Sequence, residues 1–444
     1  MSTTSYAYAR PSGLTAGGLD LQTSGGLSAN PRFFEGFMTT PQPVAAGLLA
    51  VADVARTRYF QPTGPGSLDP VVTGSAAMLR FESFSGCCGV YARLDILPSG
   101  LDGRMLEHGT TNIDVNDPLR LSLARVTRND PLHLAVGPDE LTVSTMGGAV
   151  VERRLPLPSR WLRGFAEVAV IASGMRAQAV LGAAQAADFL KRLPTDRSIL
   201  WAVPAGRSLR LTSRPVPGAV CVAGARRLAA LRGMLRHATT LTVFGPGPGA
   251  GPDSPALASA WMLESATTRL LLTLSPEPHR GFSGEGAVLS QLATANVTDD
   301  ADLVSAMLAW DPTIAVDRLA ADCGLPPARV TAALTLLGAA GRVGFDVAEQ
   351  AYFHRVMPFG TDAAARLNPR LAEAQALVAA GAVCDADDHT AVTSGDTVYR
   401  VRVTVGTPAG CTCRWWSRHR GGRGTCKHQL AVLIVRGALA EVAQ

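Results

Sequence analysis

This sequence predicts a multidomain α+β protein, and three observations carry that expectation. Short alternating apolar runs, separated by Gly and Pro turns, dominate residues 77–145 and recur through 198–275. Residues 300–354 switch to helical periods that end in two strand-like runs. Near the carboxy terminus, Cys411-Thr-Cys413 and Cys426-Lys-His428 bracket an Arg-rich loop, the spacing of a small metal-binding module.

The 444 residues allow about two to four domains. A hydrophobic content of 47% is enough for substantial cores. The net charge of +5 is modest and does not announce a nucleic-acid binder. Nearly all the cations are Arg, Lys191 and Lys427 being the only lysines. No basic start with an apolar core follows Met1, and no run of eighteen apolar residues occurs, so neither a signal peptide nor a membrane span is expected. Cys87, Cys88, Cys221, Cys323 and Cys384 lack disulfide-framework spacing, which favours a reducing cytoplasm. Vicinal Cys87-Cys88 could serve redox chemistry or a second metal, but buried strand residues are the plainer reading.

Residues 1–29, rich in Ser, Thr and Gly, are expected to be a flexible leader. Residues 30–192 should form a β-rich α+β domain. It opens with a helix from Pro41 to Tyr59, on which Val44, Leu48, Val51 and Val54 or Ala55 share a face. Runs at Met78–Phe84, Gly89–Leu97, Leu132–Val136 and Glu140–Ser144 read as strands, with a short helix from Asp117 to Arg125 between them. Arg153, Arg154, Arg160 and Arg163 surround Trp161. They suit either a phosphate-and-base contact or an interdomain strap with a core Trp, and the strap is favoured. Residues 175–192 read as a helix.

Residues 193–283 read as a second mixed α/β segment, with strands near Ile199–Val203, Ser208–Thr212, Leu241–Phe244 and Arg269–Leu274. Ala225 to His237 looks like a basic amphipathic helix carrying Arg226, Arg227, Arg232 and Arg236. Gly245 to Pro252 lacks a Walker Lys, and its prolines remove N–H groups that a phosphate would need. A linker or long hairpin loop is expected there.

Residues 284–358 should be winged-helix-like. Helices over Leu303–Trp310, Thr313–Asp322 and Pro326–Ala340 precede Gly341–Val347 and Gln350–His354 as the two strands of a wing. On DNA the third helix would enter the major groove. Arg329 is its only basic residue, however, so protein docking stands level with DNA contact.

Residues 368–444 carry the metal motif. Three thiols and an imidazole, Cys411, Cys413, Cys426 and His428, match the closed tetrahedral demand of structural zinc. Residues two apart on an extended chain point the same way, which suits Cys411 and Cys413. The apolar run Gln429–Val435 follows the second pair, and a helix packed beneath the metal is favoured over a strand. His419 is a rival fourth ligand. Cys384 and His389 flank Asp385, Asp387 and Asp388, a second metal patch or, preferably, a solvated turn.

Cys-x-Cys, a variable loop and Cys-x-His, preceded by the alternating run Tyr399–Val405, resemble the SWIM zinc finger, a ββα module. Pro31-Arg-Phe-Phe-Glu-Gly, Thr111–Arg120 and Ala351-Tyr-Phe-His-Arg355 resemble stretches of bacterial SWIM-finger proteins of this length. The resemblance implies DNA binding or protein–protein contacts, and for the longer bacterial members an accessory role beside MoxR-type ATPases. The loop itself offers Arg414, Trp415, Trp416, Arg418, Arg420, Arg423 and Lys427 with no acid, a surface for phosphates, stacked bases or a protein partner. One or two of these cations would suffice to neutralise a zinc tris-thiolate, and one Trp should be core. No nucleophile elbow, metalloprotease helix or phosphate loop is present, and a closed Cys₃His site leaves zinc no place for water, so no enzyme is expected.

Overall fold

The computed structural model describes residues 13–15, 18–20, 32–60, 70–75, 78–153, 159–247, 255–293, 297–308, 313–355, 357, 368–386, 388–404 and 407–442. Most of the expected leader, with Pro31, Arg154, Trp310, Asp387, Val405 and residues 248–254, lies outside them. The chain starts with a small hairpin, β1 (Gly13–Thr15) and β2 (Gly18–Asp20). Then come β3 (Phe34–Met38), α1 (Pro41–Arg56), β4 (Val71–Ser75), β5 (Met78–Phe84), β6 (Val90–Ile96), β7 (Leu101–Met105) and β8 (Gly109–Asn112). They are followed by α2 (Asp117–Ala124), β9 (His133–Val136), β10 (Glu140–Thr145) and β11 (Gly148–Arg153). Next are α3 (Ser159–Ser173), β12 (Met175–Gly182), α4 (Ala183–Lys191), β13 (Ile199–Ala205), β14 (Ser208–Thr212) and β15 (Val220–Ala223). A 3₁₀ helix (Ala225–His237) leads to β16 (Thr240–Pro246), β17 (Ser259–Glu264) and β18 (Thr268–Leu274).

Three antiparallel sheets carry this amino-terminal body, the smallest in the order β14-β13-β15. Five strands run in the order β11-β10-β9-β3-β7, and eight in the order β12-β16-β17-β18-β6-β5-β4-β8. The largest sheet takes strands from both stretches, 30–192 and 193–283, that the sequence reading keeps apart. Its seam is β18 on β6, with Leu272 opposite Ala92 and Leu274 opposite Val90. Val44, Leu48 and Val51 of α1 belong to the same buried cluster as Leu94, Leu270 and Leu272. The helix lies so close that a Cβ at Gly47 would come within 2.5 Å of Leu94 Cδ1, which is why a helix-weakening Gly is kept there. Phe84, Tyr91, Met262 and Leu271 pack instead with Trp161 and Phe165 of α3.

Three local expectations need correction. Residues 175–182 are a strand, because they find a partner in β16 from Met175↔Pro246 to Gly182↔Thr240; an available strand partner overrides helix propensity. Only Ala183–Lys191 is helical. The expected strap around Trp161 is α3, a 15-residue helix, although its Trp is fully buried as expected. The basic helix at 225–237 is a 3₁₀ helix whose Arg227 is 1% exposed. Arg227 donates to Ala223 O (2.6 Å), Gly89 O (2.8 Å) and Ser275 O (2.8 Å), joining the end of β15 to the residues just before β6 and just after β18. The Gly-Pro-rich stretch after Phe244 joins the antiparallel pair β16 and β17, as a long hairpin loop should.

The winged helix follows: α5 (Leu289–Leu292), α6 (Val297–Met307), α7 (Val316–Cys323), α8 (Pro327–Ala339), β19 (Val343–Asp346) and β20 (Ala351–His354). Gly324, at φ 66°, ends α7, and Pro327 opens α8. Nine of the thirteen residues of α8 are buried, as is every residue of the wing strands. Ala166, Ala169 and Ala172 of α3 belong to that core. The wing is also fastened to the large sheet by charge. Asp346 accepts from Arg80 (3.0 Å) and pairs with Arg93 (2.8 Å), Arg93 pairs with Asp95 (2.9 Å), and Arg355 faces Glu82 (3.3 Å). These three arginines and three acids have side chains no more than 3% exposed. Burial works against the Asp346 carboxylate, but Arg93 and Arg80 hold it well below the usual carboxylate range. Phe353 lies beneath the Arg80 guanidinium at 4.2 Å.

The carboxy-terminal module comprises α9 (Pro369–Ala379), β21 (Val383–Asp385), β22 (Thr390–Ser394), β23 (Thr397–Thr404), β24 (Thr407–Cys411), α10 (Arg414–His419) and α11 (Lys427–Val442). Among the described residues no helix is long and apolar enough to cross a membrane.

Candidate metal centre

Three elements deliver the four motif residues. Cys411 ends β24, Cys413 caps α10, and Cys426 and His428 stand at the start of α11. The expected helix after the second pair is therefore present. Cys413 Sγ accepts the Trp416 N–H (3.4 Å), and Gln429 Oε1 accepts the Cys426 N–H (3.3 Å). Tyr399, from β23, stacks on the His428 ring with centroids 4.0 Å apart. All four residues are buried, and one donor atom from each lies within 4.8 Å of the others.

The donor set fits zinc. Zn–S of about 2.3 Å and Zn–N of about 2.0 Å place tetrahedral neighbours roughly 3.5–3.8 Å apart, and Cys411 Sγ lies 3.8 Å from His428 Nδ1. The sulfurs are crowded as well as buried. A hydrogen bond with Cys411, then burial, pushes the Cys426 thiol up to about 12. Three thiolates can coexist at this spacing only around a cation.

His419 does not join the cluster; its ring packs on Trp415 at 4.4 Å. The second candidate patch is a hairpin between β21 and β22, in which Asp388 pairs with His389 and Asp385 with Arg436. Cys87 and Cys88 are buried in the turn joining β5 and β6, not in a strand. Burial pushes the Cys88 thiol up to about 12, which makes it a poor nucleophile.

The surface read from the inter-ligand loop divides in two. Trp415 is half-buried under the Arg370 guanidinium (4.3 Å) and near that of Arg423 (5.6 Å). Trp416 packs against the cluster of Val392, Val401 and Val432, so both indoles, not one, face inward in part. Arg423 donates to Gly284 O (3.3 Å), and Lys427 pairs with Glu373 of α9 (2.9 Å). Arg414, Arg418 and Arg420 stay exposed.

Two anchoring residues carry no sequence signal. Arg370, a lone cation after Asn368-Pro369, donates to Arg423 O (2.8 Å) and Thr425 O (3.0 Å). Glu167 of α3 is 3% exposed and accepts the N–H groups of Gly286 (2.7 Å), Ala287 (2.8 Å) and Val288 (3.2 Å). That loop abuts the finger so closely that a Cβ on Gly424 would fall 2.3 Å from Gly286 O.

Comparison with known proteins agrees at the level of modules. No curated protein matches this chain. Among solved structures, the proliferating cellular nuclear antigen of Entamoeba histolytica aligns at 12% identity and TM-score 0.37, covering 55% of this chain and 99% of that one. A PCNA2–PCNA3 complex from Sulfolobus tokodaii aligns at 9% identity and TM-score 0.38, covering 55% and 100% respectively. Residues 289–344 match the DprA winged helix domain, over the helices and the start of the first wing strand. Residues 401–437, which hold all four clustered ligands, match the SWIM zinc finger.

Proposed function

We propose that this chain is a non-enzymatic adaptor, in which structural zinc holds the SWIM finger as a docking platform for a protein partner. Burial of the winged helix carries that reading. Helix α8, which would read a major groove, has nine residues in the core, and its Arg329 is paired with Asp300 at 2.7 Å. Both wing strands are buried too, which leaves DNA only the first turn of α8, where Pro327 and Ala328 are exposed and Arg329 is engaged by Asp300. The outward chemistry is left to the finger. Cys411, Cys413, Cys426 and His428 would hold the zinc, which supplies folding energy to the module when bound and leaves no position for catalysis. The partner implied by family resemblance, a MoxR-type ATPase, gains no support from the comparisons.

A second reading rests on exposed Arg414, Arg418 and Arg420, which offer cations to nucleic-acid phosphates. Native purification of the full chain with and without nuclease separates the two. A stoichiometric protein companion that survives nuclease and is lost from the His428→Ala variant supports the adaptor. Oligonucleotide affinity that falls steeply with salt, with no such companion, would replace it with the nucleic-acid reading.

A further inference from the structure

Between the finger loop and the end of the large sheet lies a groove of about 790 Å³, within the range of side-chain and ligand pockets. His419 and Arg420 of the finger line it together with Ile171, Met175 and Leu257. Leu257 is 39% exposed there. The loop is set rather than collapsed: Arg420, Gly421 and Gly424 hold φ of 47°, 83° and 70°, and Gly424 rests against Gly286.

The charge around the groove is one-sided. Glu285, the one carboxylate among the described residues of its lining, is held by Arg280 at 2.5 Å, and Arg280 also takes up Glu277 at 3.2 Å. Among the described residues no carboxylate is ion-paired to Arg418 or Arg420, and both are exposed. His419 registers this surplus: burial, then the fields of Arg423, Arg418, Arg280 and Arg370, hold its imidazole below the usual value.

We propose that this groove docks a short acidic segment of a partner protein, an apolar side chain lying against Ile171 and Leu257 while flanking carboxylates meet Arg418 and Arg420. The proposal rests on the adaptor reading and names the chemistry of its partner. Nucleic acid fits the groove less well. Pro246, Pro255 and Pro276 line it without N–H donors, and the indoles that would stack bases are turned toward the finger core and Arg370. An acidic segment with an apolar anchor matches both the floor and the rim.

A random peptide library displayed on phage and panned against the zinc-loaded full chain tests this. Selected peptides should pair Asp or Glu with Leu, Ile or Phe. Arg420→Glu and Leu257→Asp should each weaken their binding about tenfold or more. Both positions are exposed, and zinc content with circular dichroism confirms that the variants fold. Three results would overturn the proposal: no enrichment, peptides without an acidic bias or indifferent to both variants, or displacement of the peptides by a thymidine oligonucleotide. A nuclease-resistant companion alongside any of these would leave the adaptor reading standing and remove only the groove.

Discussion

The winged helix and the zinc finger are both compact modules with a readable motif, yet the chain uses them in opposite ways. The winged helix is turned inward, its wing tied to the large sheet by Arg80, Arg93, Asp95 and Asp346. The finger has a sparse apolar core of Val392, Val401 and Val432 around four ligands, and its loop leaves Arg414, Arg418 and Arg420 outside. A module's local fold therefore says little about which of its faces remains free. The first is held by burial and paired charge, and the second is expected to depend on its metal.

Metal loss should break the comparison most severely. Zinc contributes about 10–16 kcal/mol of apparent binding energy to zinc-finger peptides. In His428→Ala, zinc should disappear from elemental analysis and the finger should become protease-sensitive while the body stays protected. His419→Ala should keep its zinc. Retention of zinc without His428 would mean another residue completes the site.

Asp346→Ala tests the other half. It leaves Arg80 and Arg93 to share one buried carboxylate, Asp95, at 3.4 and 2.9 Å, and breaking a buried pair costs about 3–5 kcal/mol, here an upper bound. Chemical denaturation should show that loss with zinc content unchanged. An unaltered midpoint would mean that apolar packing alone docks the wing.

Glu167 gives a smaller, pH-dependent effect. Burial outweighs its three N–H bonds and pushes the carboxyl from 4.5 up to about 7. A carboxyl raised on folding contributes stability that is complete below its unfolded value and is lost as pH rises through its folded one. Stability should thus fall between pH 4.5 and about 7, by at most roughly 3 kcal/mol. Glu167→Gln should lessen the slope, the remainder being shared by Glu152, which burial and then Asp114 raise to about 7, and by Glu285 and Asp114, which burial raises with the same sign. A slope unaffected by the substitution would discard this account.

Trp415→Ala should act least on stability. It removes the ring beneath Arg370, a contact worth about 1–2 kcal/mol. Zinc should remain bound but pass faster to a chelator; an unchanged transfer rate would show that the Arg370 contact does not brace the loop.

Much of the site was legible because its information is local. The Cys-x-Cys and Cys-x-His spacings, the alternation of β23 and the apolar run of α11 each lie within a few residues. The helices and wing of the winged helix were legible for the same reason. The 175–182 strand was not, because its Ala-rich stretch owes its conformation to β16, far along the chain. Nor could Glu167 or Arg370 be recognised, since their partners at 286–288 and 423–425 are distant in sequence.

The sequence by itself determined which residues can gather around a metal and, for most segments, which are helix or strand. Those choices follow from backbone periodicity and side-chain reach over a few bonds. Only the tertiary structure decided what is exposed. Arg80 and Asp346 are 266 positions apart, and their pairing takes the wing out of solvent. The same long-range packing settles Trp415 under Arg370 and leaves Arg418 and Arg420 beside the groove. Burial is a property of which distant surfaces meet, and no local pattern records that meeting.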